Sequence, residues 1–72
     1  MTYQKRIKDL REDNDLAQKQ VAAILRVSQQ TYSSYELNKR LLSIDDLIVL
    51  CKFYHVSADY ILGFTDVKKD WN

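Results

Sequence analysis

Apolar residues recur at helical spacing along most of the chain and divide it into a series of short amphipathic helices. Tyr3, Ile7 and Leu10 follow the i, i+4, i+7 stripe of a first helix. Thr2 is a favoured N-cap, and the polar run after the stripe sets the helix end near Asp13. The pattern therefore predicts a helix from about Thr2 to Asp13 with Ile7 and Leu10 in the core.

The next stretch predicts a second short helix followed by a tight turn. Its apolar positions share one face at helical spacing, and they are Val21, Ala22, Ile24 and Leu25. Ala22 is the smallest of them, which suits a place where two helix backbones cross closely. The isolated Val27 can fill the space between helices, and Ser28 is a favoured N-cap for a third helix.

The third helix, over residues 29–37, has an unusual composition. Tyr32, Tyr35 and Leu37 can face inward. The outward residues are uncharged amides and hydroxyls, namely Gln29, Gln30, Thr31, Ser33 and Ser34. Exposed helices ordinarily carry Lys and Glu, which add helix propensity and ion pairs, whereas amides and hydroxyls can contact base edges. Two interpretations remain open at this point: a surface that recognises bases, or a merely polar surface helix.

The C-terminal half predicts two more helices. Ser43 is a predicted N-cap, and two aspartates follow it in a first turn where the helix dipole favours carboxylates. The inner stripe of this fourth helix consists of Leu47, Leu50, Cys51 and Tyr54. Ser57 caps a short fifth helix over residues 58–62, and Gly63 ends it at a C′ position.

The composition is that of one small, nearly all-α domain. A length of 72 residues lies near the lower limit for a self-sufficient core, and a hydrophobic content of 46% suffices for a globular fold. The chain has no Pro and a single Gly, so β-hairpin turns and long loops have little to be built from. We expect one domain over residues 1–63 and a C-terminal tail over residues 64–72.

The net charge of +1 argues weakly against a nucleic-acid partner, but the distribution of charge matters more. Six basic residues accompany four acidic ones in the first 27 residues. Lys39 and Arg40 follow the third helix with no nearby acid after Glu36, whereas three lysines oppose five aspartates from Leu41 onward. The half that carries the polar helix is therefore net basic, which would orient one face towards phosphate.

Other classes of function find little support. Lys5, Arg6 and Lys8 are followed by acids rather than an apolar run, so neither a signal peptide nor a membrane span is predicted. The lone Cys51 excludes an internal disulfide and is interpreted as a small buried hydrophobe. One His and one Cys form no credible metal site, and there is no glycine-rich phosphate loop. We expect a cytoplasmic protein that is not an enzyme, needs no cofactor and has no membrane partner.

Two groups of residues, one within the stretch from Gln18 to Arg40 and one downstream of it, form a pattern that is informative about the family. Within the stretch the set is Gln18, Ala22, Val27, Ser28, Gln29, Tyr35, Glu36 and Asn38. Downstream it is Ser43, Leu47, Val56, Ser57, Asp59, Tyr60, Ile61, Leu62 and Gly63. The chain thus resembles, over nearly its whole length, the helix-turn-helix regulators of the Cro/repressor family, also called the XRE family. The resemblance implies a compact five-helix, lambda-repressor-like domain that binds a double-stranded DNA operator as a homodimer.

Three positions depart from the pattern of this family. The family usually has Gly in the turn between its two motif helices, where Arg26 stands, and a non-Gly residue with positive φ costs roughly 1 kcal/mol. Ala17 stands where the family often has Thr or Ser, and alanine is a poor cap. Leu37 and Asn38 replace a frequent Asn-Gly, which is a mild change because Asn tolerates the left-handed conformation.

The resemblance implies a site composed of two sets of residues. The base-contacting set is Gln29, Gln30, Thr31 and Ser34, with Ser33 in addition. The phosphate-contacting set is Gln18, Asn38, Lys39, Arg40 and Arg11. In relatives an arginine at the place of Arg11 pairs with the glutamate that ends the recognition helix, here Glu36, so this pair is expected to brace that helix. The helix itself would enter the major groove with its N-terminal end leading.

The tail carries Phe64, Val67 and Trp71 at i, i+3, i+7, and these side chains either fold back on the core or meet another chain. Because repressors of this kind bind two half-sites, the tail is interpreted as a dimer contact. The alternative function is a protein-interaction module on the same fold, with the polar helix solvated and the tyrosine-rich and tail surfaces binding a protein partner. The near-neutral charge and the missing turn Gly favour this alternative slightly.

Overall fold

The computed structural model describes residues 2–68, and within them the chain forms five helices and no strand. The helices are α1 (Tyr3–Asp13), α2 (Gln18–Leu25), α3 (Gln29–Glu36), α4 (Ile44–Tyr54) and α5 (Ala58–Leu62). Helix α1 packs against α3 and α5, while α4 packs against α5 and α2. The all-α fold of five helices expected from the sequence is confirmed.

Short polar side chains set the start of four of these five helices. Each cap accepts a hydrogen bond from the backbone N–H three residues later, and the caps are Thr2, Ser28, Ser43 and Ser57. Helix α2 is the exception, because its N-cap Ala17 has no side-chain oxygen. The Gln20 side chain instead accepts the Ala17 N–H at 2.7 Å, so one orphan donor of this helix end is still satisfied.

Left-handed backbone conformations end three of the helices. Arg26 has φ 60° at the end of α2, His55 has φ 57° at the end of α4, and Gly63 has φ 86° at the end of α5. Arg26 thus adopts the left-handed conformation at the place where the family usually has Gly, with the strain that a Cβ atom brings to this conformation. Asn38, just after α3, also has a positive φ of 60°, which asparagine accommodates well.

The core lies where the five helices meet. Its buried apolar members are Ile7, Leu10, Val21, Ala22, Leu25, Tyr32, Tyr35, Leu50, Cys51, Val56, Tyr60 and Ile61. The predicted burial of Ile7, Leu10 and Cys51 is confirmed. Each large side chain removed from water in this way contributes about 1.5–3 kcal/mol of burial free energy, so the core supplies most of the favourable energy of so small a fold.

Leu37 differs from its sequence interpretation. It is the C-cap of α3 rather than the last residue of a helix over 29–37, and its side chain is 60% exposed. The reason is angular: each residue turns a helix by roughly 100°, so Leu37 lies on the opposite side from Tyr35, which is buried. The inward face of α3 is therefore formed by Tyr32 and Tyr35.

The chain after Gly63 is fastened to α1 by a buried cation that the sequence did not single out. The Arg6 side chain is 4% exposed, and its guanidinium lies 4.1 Å from the centre of the Tyr60 ring. It donates to the Asp66 carboxylate at 3.0 Å. Phe64 and Val67 remain exposed at 78% and 65%. The interpretation of the tail as a dimer contact stays a prediction, and its third member, Trp71, lies outside the described residues.

Candidate nucleic-acid interface

The first two turns of α3 present the amides and hydroxyls that the sequence singled out. Gln29 and Gln30 are exposed, and neither side chain forms a hydrogen bond within residues 2–68. The Thr31 hydroxyl accepts from the Ser28 hydroxyl at 3.0 Å. The Ser34 hydroxyl donates to the Gln30 carbonyl, also at 3.0 Å. The two glutamine amides are thus the uncommitted polar groups at the leading end of this helix.

The hydroxyl residues of α3 are less accessible than the two glutamines. Thr31, Ser33 and Ser34 are all half-buried, whereas Gln29 and Gln30 are exposed. A hydroxyl that donates to a backbone carbonyl can still accept a further hydrogen bond. The Ser34 hydroxyl therefore retains its acceptor function towards a ligand and the Thr31 hydroxyl its donor function, while Gln29 and Gln30 retain all of theirs.

Arg11 on α1 and Glu36 at the end of α3 form a bidentate ion pair. The Arg11 Nε atom lies 2.8 Å from Glu36 Oε2, and Nη2 lies 3.2 Å from Oε1. The exposed fractions of the two side chains are only 13% and 3%. The remaining Arg11 Nη1 donates to the Leu16 carbonyl at 3.0 Å. This arrangement joins the C-terminal end of α3 to α1 and to the segment before α2.

Gln18 connects α2 to the same Glu36 carboxylate. Its Nε2 atom donates to Glu36 Oε1 at 3.0 Å, so residues of three helices meet at Glu36. The structure thereby brings Arg11, Gln18 and Glu36 together, whereas the resemblance had placed Gln18 in the phosphate-contacting set. The backbone N–H groups at the start of α2 remain at its positive end, where an anion is favoured.

Burial and hydrogen bonding act in opposite directions on the Glu36 carboxyl. Burial raises its pKa, but Arg11, the nearby Tyr32 hydroxyl and Gln18 more than offset this and hold the pKa below its usual value. Burial raises the pKa of Tyr32 strongly and that of Tyr54 to about 12. Both phenols are therefore neutral at physiological pH, and Glu36 is the ionised partner of Arg11.

The loop that follows α3, residues 37–43, carries the expected phosphate contacts. The Lys39 and Arg40 backbone N–H groups both donate to the Ser34 carbonyl, at 2.9 Å and 3.3 Å. Their side chains are exposed and form no ion pair within the described part of the chain. Two cations are therefore available directly beside the polar face of α3.

Two contacts from α1 hold this loop, and sequence reasoning missed them. The Gln4 Nε2 atom donates to Asn38 Oδ1 at 2.8 Å. The Leu42 N–H donates to the Tyr3 hydroxyl at 3.2 Å. Tyr3 had been recognised as part of the α1 stripe, which gave the only sequence signal, whereas nothing local to Gln4 indicates a partner 34 residues away.

The described part of the chain contains neither a candidate metal site nor a candidate membrane-spanning helix. Over residues 2–68 there is no group of three or more His, Cys, Asp or Glu side chains arranged to hold a metal ion. None of the helices described there has the length and apolar character needed to cross a membrane.

The geometry of α2 and α3 defines the class of protein. Two eight-residue helices, joined by a short left-handed turn and tied together through Gln18 and Glu36, form a helix-turn-helix. The helix-turn-helix family model matches residues 7–61. The chain belongs to this family, and the resemblance to its Cro/repressor, or XRE, type is confirmed.

Two similar proteins are named as transcriptional regulators. The chain is 36% identical over 64 residues to the uncharacterised HTH-type transcriptional regulator YobD of Bacillus subtilis, covering 89% of this chain and 57% of that protein. It is 36% identical over 69 residues to the HTH-type transcriptional regulator ImmR of the same organism, covering 96% and 54%. The chain thus spans about half the length of these curated relatives. Both names agree with the expectation that the matched region is not an enzyme.

A solved structure supports the same architecture. The crystal structure of a transcriptional regulator from Listeria innocua superposes with a TM-score of 0.84 at 27% sequence identity. The match covers 99% of this chain and 64% of that one. The five-helix arrangement is therefore shared with a known regulator, including the helix-turn-helix and the helices that support it.

Proposed function

We propose that this chain is a sequence-specific, double-stranded DNA-binding transcriptional regulator that acts as a homodimer and represses transcription. Helix α3 enters the major groove with its N-terminal end leading, and one copy occupies each half-site of the operator. Repression follows from occupying DNA that the transcription machinery requires. The relatives are bacterial, and in a bacterial cell the DNA lies in the cytoplasm, where the protein would act.

The observation that carries the proposal is the pair of uncommitted amides on a braced helix. Gln29 and Gln30 have exposed side chains without hydrogen-bond partners in the described residues, and a glutamine amide matches the N6 and N7 edge of adenine in a bidentate way. The opposite end of α3 is fixed by the contacts of Glu36. A recognition helix needs both properties, because its side chains must be free while its axis must be held.

The phosphate-contacting set supplies the charge that this amide surface lacks. Lys39 and Arg40 lie in the loop beside α3, and the positive end of α2 begins at Gln18. Asn38 precedes the two cations and can contact a phosphate through its amide. Each of the three guanidinium nitrogens of Arg11 already donates a hydrogen bond to Glu36 or to the Leu16 carbonyl, so we assign Arg11 primarily to the brace.

The assignment predicts opposite behaviour for base and phosphate contacts. Gln29→Ala or Gln30→Ala should relax preference at one or two positions of each half-site, by about 1–3 kcal/mol of discrimination. Arg40→Ala should weaken binding to all sequences alike and lower the salt slope by about 1 per half-site. Lys52→Ala is the matched control, because it removes an exposed cation of α4 outside the proposed interface.

The measurement is a selection from a random duplex library, followed by binding titrations of wild type and variants across salt concentrations. A two-fold symmetric selected site supports a homodimer. If all three site variants behave like Lys52→Ala, the assignment of contacts is wrong. If the wild-type chain enriches no sequence over scrambled competitor at low ionic strength, the proposed function itself fails.

One observation favours a second function, a protein-interaction module. An apolar groove of about 370 Å³ lies beside the loop after α3 and is lined by Tyr3, Leu42, Ile44, Leu47 and Leu62. Ile44 is 75% exposed at its edge. A chain that binds a protein there and enriches no DNA sequence in the selection would have this second function instead.

A further inference from the structure

Helix α1 makes two hydrogen bonds to the loop that carries the phosphate-contacting cations. Gln4 donates to the Asn38 side chain at 2.8 Å, and the Tyr3 hydroxyl accepts from the Leu42 backbone at 3.2 Å. The donor and the acceptor on α1, Gln4 and Tyr3, are neighbours in the sequence. Their targets, however, lie immediately before Lys39 and two residues after Arg40, so the contacts enclose both cations.

The remainder of this loop has few other attachments. Its first half is tied to α3 through the Ser34 carbonyl, which accepts from the backbone of Lys39 and Arg40. Its second half has no such backbone tie within residues 2–68, and Leu41 is 79% exposed, while the Leu42 side chain packs against the core. The bond to Tyr3 is therefore the hydrogen bond that fixes the far end of the loop before Ser43 begins α4.

We propose that Tyr3 and Gln4 are positioning residues for DNA binding, which hold the loop so that Lys39 and Arg40 meet phosphates without further ordering. The proposal rests on the proposed function and deepens it. Binding by a mobile loop carries a free-energy cost for each side chain and backbone segment that it immobilises, and a loop already held in its bound conformation avoids that cost. Neither Tyr3 nor Gln4 needs to touch DNA for this effect.

Positioning differs from direct contact in a way that can be measured. If Gln4 acts only through the two cations, its loss matters while they are present and ceases to matter once they are removed. If Gln4 binds a phosphate through its own amide, its loss has the same effect in both backgrounds. A double-mutant cycle separates the two cases, because it measures whether the effects of the substitutions are independent.

The experiment measures DNA affinity of the full chain, with Gln4→Ala and Tyr3→Phe each made in three backgrounds: wild type, Lys39→Ala/Arg40→Ala, and Lys52→Ala. In the wild-type and Lys52→Ala backgrounds we expect each substitution to weaken binding by roughly two- to tenfold, as one net hydrogen bond does. The loss should be equal on the selected site and on random duplex. In the doubly substituted background the same substitutions should change affinity less than twofold.

Thermal unfolding of every variant accompanies the titrations, and it separates positioning from general stability. Gln4 lies at the surface end of α1, so Gln4→Ala is expected to keep its melting temperature near that of wild type. An equal loss of affinity in all three backgrounds overturns the proposal, as does a loss confined to the selected site. No loss in the wild-type background overturns it too, while the proposed function stands. Absence of any DNA binding by wild type defeats both.

Discussion

Replacing Arg11 by Met removes the cationic member of the ion pair that joins α1 to α3. Methionine keeps much of the aliphatic stem of arginine but offers no donor, so Glu36 loses its cationic partner and keeps only uncharged neighbours, the Gln18 amide and the nearby Tyr32 hydroxyl. The carboxylate is 3% exposed and cannot be rehydrated without moving the end of α3. The substitution therefore tests whether this contact holds the recognition helix.

The expected effect is large for so small a protein. Breaking a buried ion pair by removing one partner costs about 3–5 kcal/mol, because an uncompensated charge stays buried. A chain of 72 residues has a total free energy of unfolding of about 4–11 kcal/mol at the usual stability per residue. Arg11→Met should therefore remove about a quarter or more of the stability, and the loss of the bond to the Leu16 carbonyl adds to it.

Urea denaturation and thermal unfolding measure this loss directly. A decrease of 3 kcal/mol corresponds to a fall in melting temperature of roughly 12 °C or more in a domain of this size. An exposed salt bridge contributes only about 0–1 kcal/mol. A loss below 1 kcal/mol for Arg11→Met would consequently refute the view that the contact is a buried brace.

The companion variant Arg11→Met/Glu36→Leu replaces both charges by apolar side chains. Since no charge is left buried, the double substitution should be less damaging than the sum of the two single ones. We expect a coupling energy of about 2 kcal/mol, near the upper part of the range for residues in direct contact. Additive effects would indicate that the two side chains do not stabilise one another.

The same brace makes stability depend on pH. The pKa of Glu36 is lowered in the folded state, so its contribution is complete above the usual value of 4.5 and is lost as the pH falls through the folded pKa. Glu36→Gln carries no titrating group at this position. The stability advantage of wild type over Glu36→Gln should therefore be constant near neutral pH and shrink in acid, and an advantage independent of pH would contradict the assignment.

Two further predictions concern the backbone and the core. Arg26→Gly should raise the free energy of unfolding by roughly 1 kcal/mol, because glycine adopts the positive φ of 60° without strain. The control is Ala23→Gly, at an exposed position inside α2. It should lower the free energy of unfolding by about 0.5–1 kcal/mol in the same urea titration. Cys51 is fully buried, and burial raises the pKa of its thiol. Iodoacetamide should therefore alkylate it at least about a hundredfold more slowly in the native protein than in denaturant, and equal rates would refute its place in the core.

Local features of this fold could be predicted from the sequence because they depend on neighbouring residues. The caps Ser28, Ser43 and Ser57 each bond to a backbone group only three residues away, so composition and spacing are sufficient to find them. The turn at Arg26, in contrast, was singled out only because the family that the chain resembles usually has Gly there. The prediction that Leu37 faces inward was wrong. It rested on the apolar character of the side chain, whereas the helical rotation of roughly 100° per residue places Leu37 opposite the buried Tyr35.

Contacts between distant parts of the chain were accessible only where a family resemblance pointed to them. Arg11 and Glu36 were paired in this way, although they are 25 residues apart. No such pointer existed for Arg6, whose burial against Tyr60 and Asp66 contradicts the usual exposure of arginine. A single sequence records the types of these residues but not the distances that folding brings about.

The residues that hold α3 and the residues that would choose its DNA target do not overlap. The first group, centred on Glu36, is buried at the C-terminal end of the helix, and the second, Gln29 and Gln30, is exposed at its N-terminal end. Substitutions of exposed residues such as these two usually change the free energy of unfolding by no more than about 0.5 kcal/mol. If Gln29 and Gln30 contact bases as proposed, changing these two side chains would alter the preferred operator at little cost in stability, which suits the scaffold to deliberate retargeting.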